Sequence, residues 1–144
     1  MLMISKAHKK GFTLTELAFI VIIIAIFISL LTPVIAKIRA RAKIINCEEN
    51  LEKIGLGLKL YASEHEGSFP SALGELVEGG YVEDESILDC PSGQHAGTAE
   101  EPDYHYTTGY AISSPSGETI VFDKTENHKN GKHVLYISGD VVWE

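Results

Sequence analysis

The stretch Lys9-Lys10-Gly11-Phe12-Thr13-Leu14-Thr15-Glu16, running straight into Leu17-Ala18-Phe19-Ile20-Val21-Ile22-Ile23-Ile24-Ala25-Ile26-Phe27, decides how the rest of the chain is read. From Leu17 to Leu31 only Ser29 is polar. As a helix, the segment Leu17–Ala36 reaches ~30 Å, enough to cross the hydrocarbon core of a bilayer. A soluble core helix carries a polar face at 3.6-residue spacing, and this one carries none. Lys6, Lys9 and Lys10 stand ahead of the apolar run without an acid among them, the charge arrangement that keeps that end in the cytoplasm.

Three readings compete for this segment. It is a plain transmembrane anchor; or a secretory signal cut after Val34-Ile35-Ala36; or a leader cut ahead of the apolar run, which then stays on the mature protein. Glu16 separates them. A carboxylate at the mouth of an apolar segment is costly unless neutralised. Thr13-x-x-Glu16 reads as a capping box, with an acid suited to the first helical turn. Cleavage after Gly11 offers a second account. It creates an α-amine on Phe12, one helical turn from Glu16, and the two opposite charges can pair within a subunit or between neighbours. Only the third reading gives both Gly11 and Glu16 a purpose.

Lys10-Gly11-Phe12-Thr13-Leu14-Thr15-Glu16-Leu17 resembles the class III signal of type IV pilins and type II secretion pseudopilins. The resemblance implies cleavage after Gly11 by a prepilin peptidase, N-methylation of Phe12, and a Glu16 that sets register by pairing with a neighbour's amine. It also implies that the helix bends or melts at Pro33, where proline removes one hydrogen bond. The implied organisation is a cleaved leader at 1–11, a membrane and filament-core helix at 12–36, and a head at 37–144 on the periplasmic side of a bacterial inner membrane.

Beyond Pro33 the pattern becomes amphipathic. Ile44, Cys47, Leu51, Ile54, Leu58 and Tyr61 recur at steps of three and four and form one apolar stripe. Gly55 and Gly57 each cost on the order of 1 kcal/mol against alanine in a helix, which suggests close packing against a sheet. Gly67-Ser68-Phe69-Pro70 ends the helix. Residues 71–103 read as loop with a short helix around Ser71–Val77. Tyr104–Ile112, Thr119–Phe122, His133–Ile137 and Asp140–Trp143 read as strands, the last two joined by Ser138-Gly139 as a two-residue hairpin loop. The fold class is therefore α+β: a long N-terminal helix packed on a small antiparallel sheet.

The head also resembles a bacterial subfamily of pilin-like proteins labelled secretion protein G-like. The residues carrying this are Cys47-x-x-Asn50-Leu51-x-x-Ile54-Gly55, Tyr61, Phe69-Pro70 and Leu88-Asp89-Cys90-Pro91-Ser92. That subfamily closes with a histidine, nine residues, then Asp-Gly. Here His128 precedes Ser138-Gly139 at that spacing, with Asp140 after the glycine.

Charge and candidate chemistry bound the function. The net charge is −8, and beyond Ile44 five basic residues face nineteen acidic ones, which argues against a nucleic-acid surface. Glu83-Asp84-Glu85 and Asp89 invite calcium, but their spacing does not fit an EF-hand loop, and no cofactor follows. His105, His128 and His133 with Asp123 and Asp140 could gather a metal; surface or strand-end histidines are the simpler reading, with only His133 and Asp140 held close by the hairpin. No nucleophile–base pair and no phosphate loop stands out, so the chain does not read as an enzyme. Cys47 and Cys90 are compatible with a disulfide outside the cytoplasm, where closing the loop would contribute roughly 3–4 kcal/mol. Two functions remain. One is a structural subunit, most simply a type II secretion pseudopilin, whose partners are other pilin-like subunits or copies of itself, the peptidase, an assembly platform and membrane lipid. The other is a membrane-tethered binding domain that never polymerises.

Overall fold

The structure, a computed structural model, describes residues 13–93, 96–124, 127–128 and 131–144. Its main element is helix α1, Leu14–Glu64, of 51 residues. Thr13 starts it by reciprocal capping. Glu16 N donates to Thr13 Oγ1 at 3.3 Å, while Thr13 N and Thr13 Oγ1 donate to Glu16 Oε2 at 2.9 and 2.8 Å. Of the two outcomes implied at Pro33, a bend or a melt, the melt does not occur: α1 continues as helix through Pro33. The lost proline N–H removes one helical bond, which is too little to interrupt a helix continuous on both sides. The helix stops where Glu66 and Gly67 turn to positive φ (55° and 83°) and Gly67 N donates to Ala62 O at 2.8 Å, a closure that uses one of the orphan carbonyls of the last turn.

The chain divides into two compact units, Met1–Ile38 and Arg39–Glu144. In the first, the apolar half of α1 exposes its large side chains, from Leu14 and Leu17 to Val34 and Ile35. Among the described residues, α1 is the one helix long and apolar enough to cross a membrane.

In the second unit the rest of α1 lies on an antiparallel sheet of order β1-β2-β3-β4, with β1 Tyr104–Tyr106, β2 Thr119–Asp123, β3 His133–Tyr136 and β4 Val141–Trp143. The buried stripe of α1 is Cys47, Leu51, Ile54, Leu58 and Ala62. Cys47, Leu51, Ile54 and Leu58 of this stripe pack in one core with Leu73, Leu76, Leu88, Ile120, Val121 and Leu135. Ile120 and Val121 are both buried, although neighbours on a strand normally face opposite ways, because the β2–β3 register shifts between Thr119 and Val121. Gly55 does admit the sheet: a Cβ there would sit 3.1 Å from Leu135 Cδ1. Gly57 instead faces Val82 and the Tyr81 carbonyl.

Three expectations need correction. The strand expected over Tyr104–Ile112 ends at Tyr106; Gly109, three residues further on, takes φ 88°, and the segment beyond it pairs with the exit of α1, where Ile112 N donates to Gly67 O at 2.8 Å. The short helix lies at Gly74–Glu78, followed by a 3₁₀ turn at Glu85–Leu88. The last hairpin has a three-residue loop, Ile137, Ser138 and Gly139. Tyr136 N donates to Asp140 O at 3.0 Å, and Gly139 N donates to Tyr136 O at 2.8 Å with φ 97° at the glycine, the common geometry of a turn plus a left-handed residue.

Candidate functional site

Gly11 and Phe12, the expected processing residues, lie outside the described residues. Glu16 is exposed at the start of α1 and is held by Thr13 as described. Three of the four acids considered for calcium hold backbone N–H groups, and Glu83 is exposed. Asp84 caps the 3₁₀ turn by accepting from Ser86 N at 2.8 Å, Glu85 Oε1 accepts from Ala99 N at 2.5 Å, and Asp89 Oδ1 accepts from Gly97 N at 2.9 Å. The Ser86 hydrogen bonds hold the Asp84 carboxyl below its ordinary value.

The densest polar chemistry is a buried corner where α1, the 89–93 loop and the sheet meet. Cys47, on the buried stripe of α1, is joined to Cys90 in a disulfide with Cα atoms 5.4 Å apart. Antiparallel pairing sets Tyr104 opposite Asp123 and His133 opposite Trp143, which places these side chains in one row across the sheet. Asp123 is fully buried. Its Oδ2 accepts from His133 N at 2.9 Å and from His133 Nδ1 at 2.8 Å, and it meets His128 Nε2 at 3.1 Å. Its Oδ1 has no hydrogen-bond partner among the described residues, an expensive state for a buried carboxylate oxygen.

His128 lies on the β2–β3 connection, where its neighbour Asn127 is fixed by donating from Nδ2 to Asp103 O at 3.0 Å. Its Nε2 is also 3.6 Å from Cys90 Sγ. Burial lowers the affinity of the His128 imidazole for a proton, Asp123 opposes that pull and His133 adds to it, and the net result is below the ordinary 6.5. The ring is therefore neutral near pH 7, and its Nε2–H donates to the carboxylate. Trp143 closes the corner edge-on, with its ring centroid 4.7 Å from that of His133 and 5.5 Å from that of His128.

His128, His133 and Asp123 are thus gathered and buried rather than at the surface, although Asp123 and His133 do stand at strand ends, the last residue of β2 and the first of β3. His105 and Asp140 are exposed and stand apart from them; Asp140 bonds Ser138 Oγ at 2.8 Å in the hairpin loop. The spacing from His128 to Ser138-Gly139 does not bring the two together: His128 meets Asp123 and Cys90, while the Ser138 carbonyl accepts from Lys59 Nζ at 2.8 Å. The grouping of the cysteines with Asp123 and His128 was missed in the sequence. A signal existed only for the neighbouring contact, since a β2–β3 hairpin that ends at Asp123 and resumes at His133 brings those two side by side.

A long N-terminal helix, apolar and then amphipathic, carrying a four-stranded antiparallel head defines a pilin-like α+β protein. Comparison with known proteins adds relatives. The chain is 30% identical to competence protein ComGC of Bacillus subtilis (strain 168) over 87 residues, which is 60% of this chain and 86% of that protein. It is 28% identical to the ComG operon protein 3 homolog of Bacillus licheniformis, covering 60% of this chain and 87% of the relative. It is 30% identical to ComGC of Halalkalibacterium halodurans, covering 60% and 81%. The chain belongs to the competence protein ComGC family. No family model matches it, and no solved structure matches it significantly.

Proposed function

We propose that this chain is a structural subunit of a type IV pilus-like filament, inserted in the membrane by one helix and assembled through it. The observation that carries the reading is the apolar half of α1. Its large side chains are exposed in the isolated chain, and a cylinder of isoleucine, leucine and phenylalanine must be covered by lipid or by other helices. The junction at Gly11-Phe12 and Glu16 supplies the transfer between those two environments. Prepilin peptidase cuts after Gly11, Phe12 becomes the methylated first residue, and Glu16 meets an amine on a neighbouring subunit. The head stands outside the cytoplasmic membrane, where the disulfide is stable, and its role is structural rather than catalytic.

The sequence resemblance alone favours a type II secretion pseudopilus. The relatives are named competence proteins, which favours a filament of a competence system with its own assembly platform. The test is mass spectrometry of the mature N-terminus combined with deletion and complementation in the native host. The expected results are a methylated Phe12 and loss of transformation that wild type restores and Glu16→Ala does not. A mature start at Lys37 would rule out the reading. Loss of an exported enzyme with transformation intact would return it to secretion. Normal behaviour of Glu16→Ala, with no crosslinks between N-terminal helices in membranes, would favour the tethered binding domain.

A further inference from the structure

The buried corner holds more chemistry than a disulfide needs. Cys47 Sγ, Cys90 Sγ, a ring nitrogen of His128 and a carboxylate oxygen of Asp123 all lie within 4.8 Å of one another, and all four residues are buried. A tetrahedral ion with two sulfur, one nitrogen and one oxygen ligand at ~2.0–2.3 Å holds its ligand atoms ~3–4 Å apart. The four groups come from α1, the 89–93 loop, the end of β2 and the β2–β3 connection, so the tertiary fold rather than a local motif gathers them. Asp123 Oδ1, buried and without a hydrogen-bond partner among the described residues, is a second observation that points to a cation at this corner.

We propose that the reduced chain binds one zinc-like divalent ion through Cys47, Cys90, His128 and Asp123, so that ion and disulfide are alternative closures of the same corner. Opening the disulfide takes two electrons and two protons from an external dithiol, which leaves as its own disulfide while Cys47 and Cys90 become thiols. Binding then forms two metal–sulfur bonds and releases the two thiol protons to solvent. The His128 ring ligates through Nε2 as the tautomer protonated on Nδ1. His133 supplies the outer support such sites require, since its N–H and Nδ1 both hold Asp123 Oδ2. A surface pocket of about 310 Å³ lined by Lys43, Ile44, Ser92, Asn127, His128 and Trp143 opens onto the histidine and gives the ion a way in. Thiolate, imidazole and carboxylate together suit zinc and not calcium or magnesium.

The test uses the full-length chain in detergent, reduced with a phosphine under anaerobic conditions and titrated with cobalt(II) and then zinc. The expected result is one cobalt per reduced chain, with thiolate-to-cobalt charge transfer and tetrahedral visible bands that zinc abolishes, and neither band in the oxidised chain. His128→Ala and Asp123→Asn should each weaken binding at least about tenfold, and Cys47→Ser should remove the charge-transfer band's two-sulfur intensity. A folded reduced chain that takes up no cobalt overturns the proposal. So does binding indifferent to both His128→Ala and Asp123→Asn. If reduction unfolds the head, refolding on addition of zinc supports the site, and failure to refold overturns it.

Discussion

Replacing both Cys47 and Cys90 with alanine should cost the head about 4–5 kcal/mol. The bond joins residues 43 apart. A crosslink of that span removes about 4 kcal/mol of chain entropy from the unfolded state, and deleting two buried sulfur atoms adds about 1 kcal/mol of lost packing. Domains of this size are stable by only ~5–15 kcal/mol, so the loss is a large share of the whole. The assay is equilibrium urea unfolding of the full-length chain in detergent, with chelator present, followed by Trp143, the single tryptophan. That ring packs on His128 and His133 and so reports on the same corner. Losing the crosslink expands the unfolded chain, so the urea dependence should steepen as the midpoint falls. Leu51→Ala, one turn along the buried stripe, is the internal ruler. It should cost about 2–5 kcal/mol through a cavity and leave the urea slope unchanged. A double cysteine variant within about 1 kcal/mol of wild type, at the same slope, would refute the reasoning. It would mean that Asn50 Nδ2 donating to Asp89 O at 2.9 Å and Asp103 N donating to Leu88 O at 2.9 Å hold the loop by themselves.

Asp123→Ala strips an acceptor from the His133 backbone N–H and from both imidazoles; it should cost about 3–5 kcal/mol by chemical denaturation, with Asp123→Asn costing less. His128 is held below its ordinary 6.5 in the fold, so the unfolded chain takes up a proton there that the folded chain refuses. Its contribution to stability is present above 6.5 and is lost as pH falls through that value, and wild type should lose more stability than His128→Gln between about pH 7.5 and about pH 5.5. Gly97→Ala drives a Cβ into the Leu88 carbonyl oxygen; because backbone cannot yield as a side chain can, thermal melts should show a loss of about 2 kcal/mol or more.

The long helix was legible because its two halves carry different periodicities, none up to about Pro33 and a clean three-four stripe after it. The strands were legible from their β-branched and aromatic content, but their ends were not. Gly109 gave no sign of whether it would bend or break the first strand, and Ser138-Gly139 showed that a turn exists without showing how many residues it spans. The corner was hardest to see. His133 begins a strand whose first three residues are all buried, so alternation could not mark it as inward-facing, and His128 reaches the core from a connection that has no period at all. Cys47 and Cys90 were visible as a compatible pair. That Asp123 and His128 back them depends on the β1-β2-β3-β4 order and on how the sheet lies against α1, neither of which is written locally.

The reciprocal clasp between Thr13 and Glu16 has a consequence for how a subunit changes environment. The carboxylate already has two local donors before any neighbour arrives, and both belong to a residue on the retained side of a cut after Gly11. In the proposed assembly, where Glu16 meets a neighbour's amine, a waiting subunit would enter the lipid boundary with this charge partly satisfied. The neighbour's amine would then win the carboxylate only by the difference between an ion pair and the clasp it displaces. Docking at that residue would be an exchange of partners, reversible and selective, rather than the rescue of a bare charge.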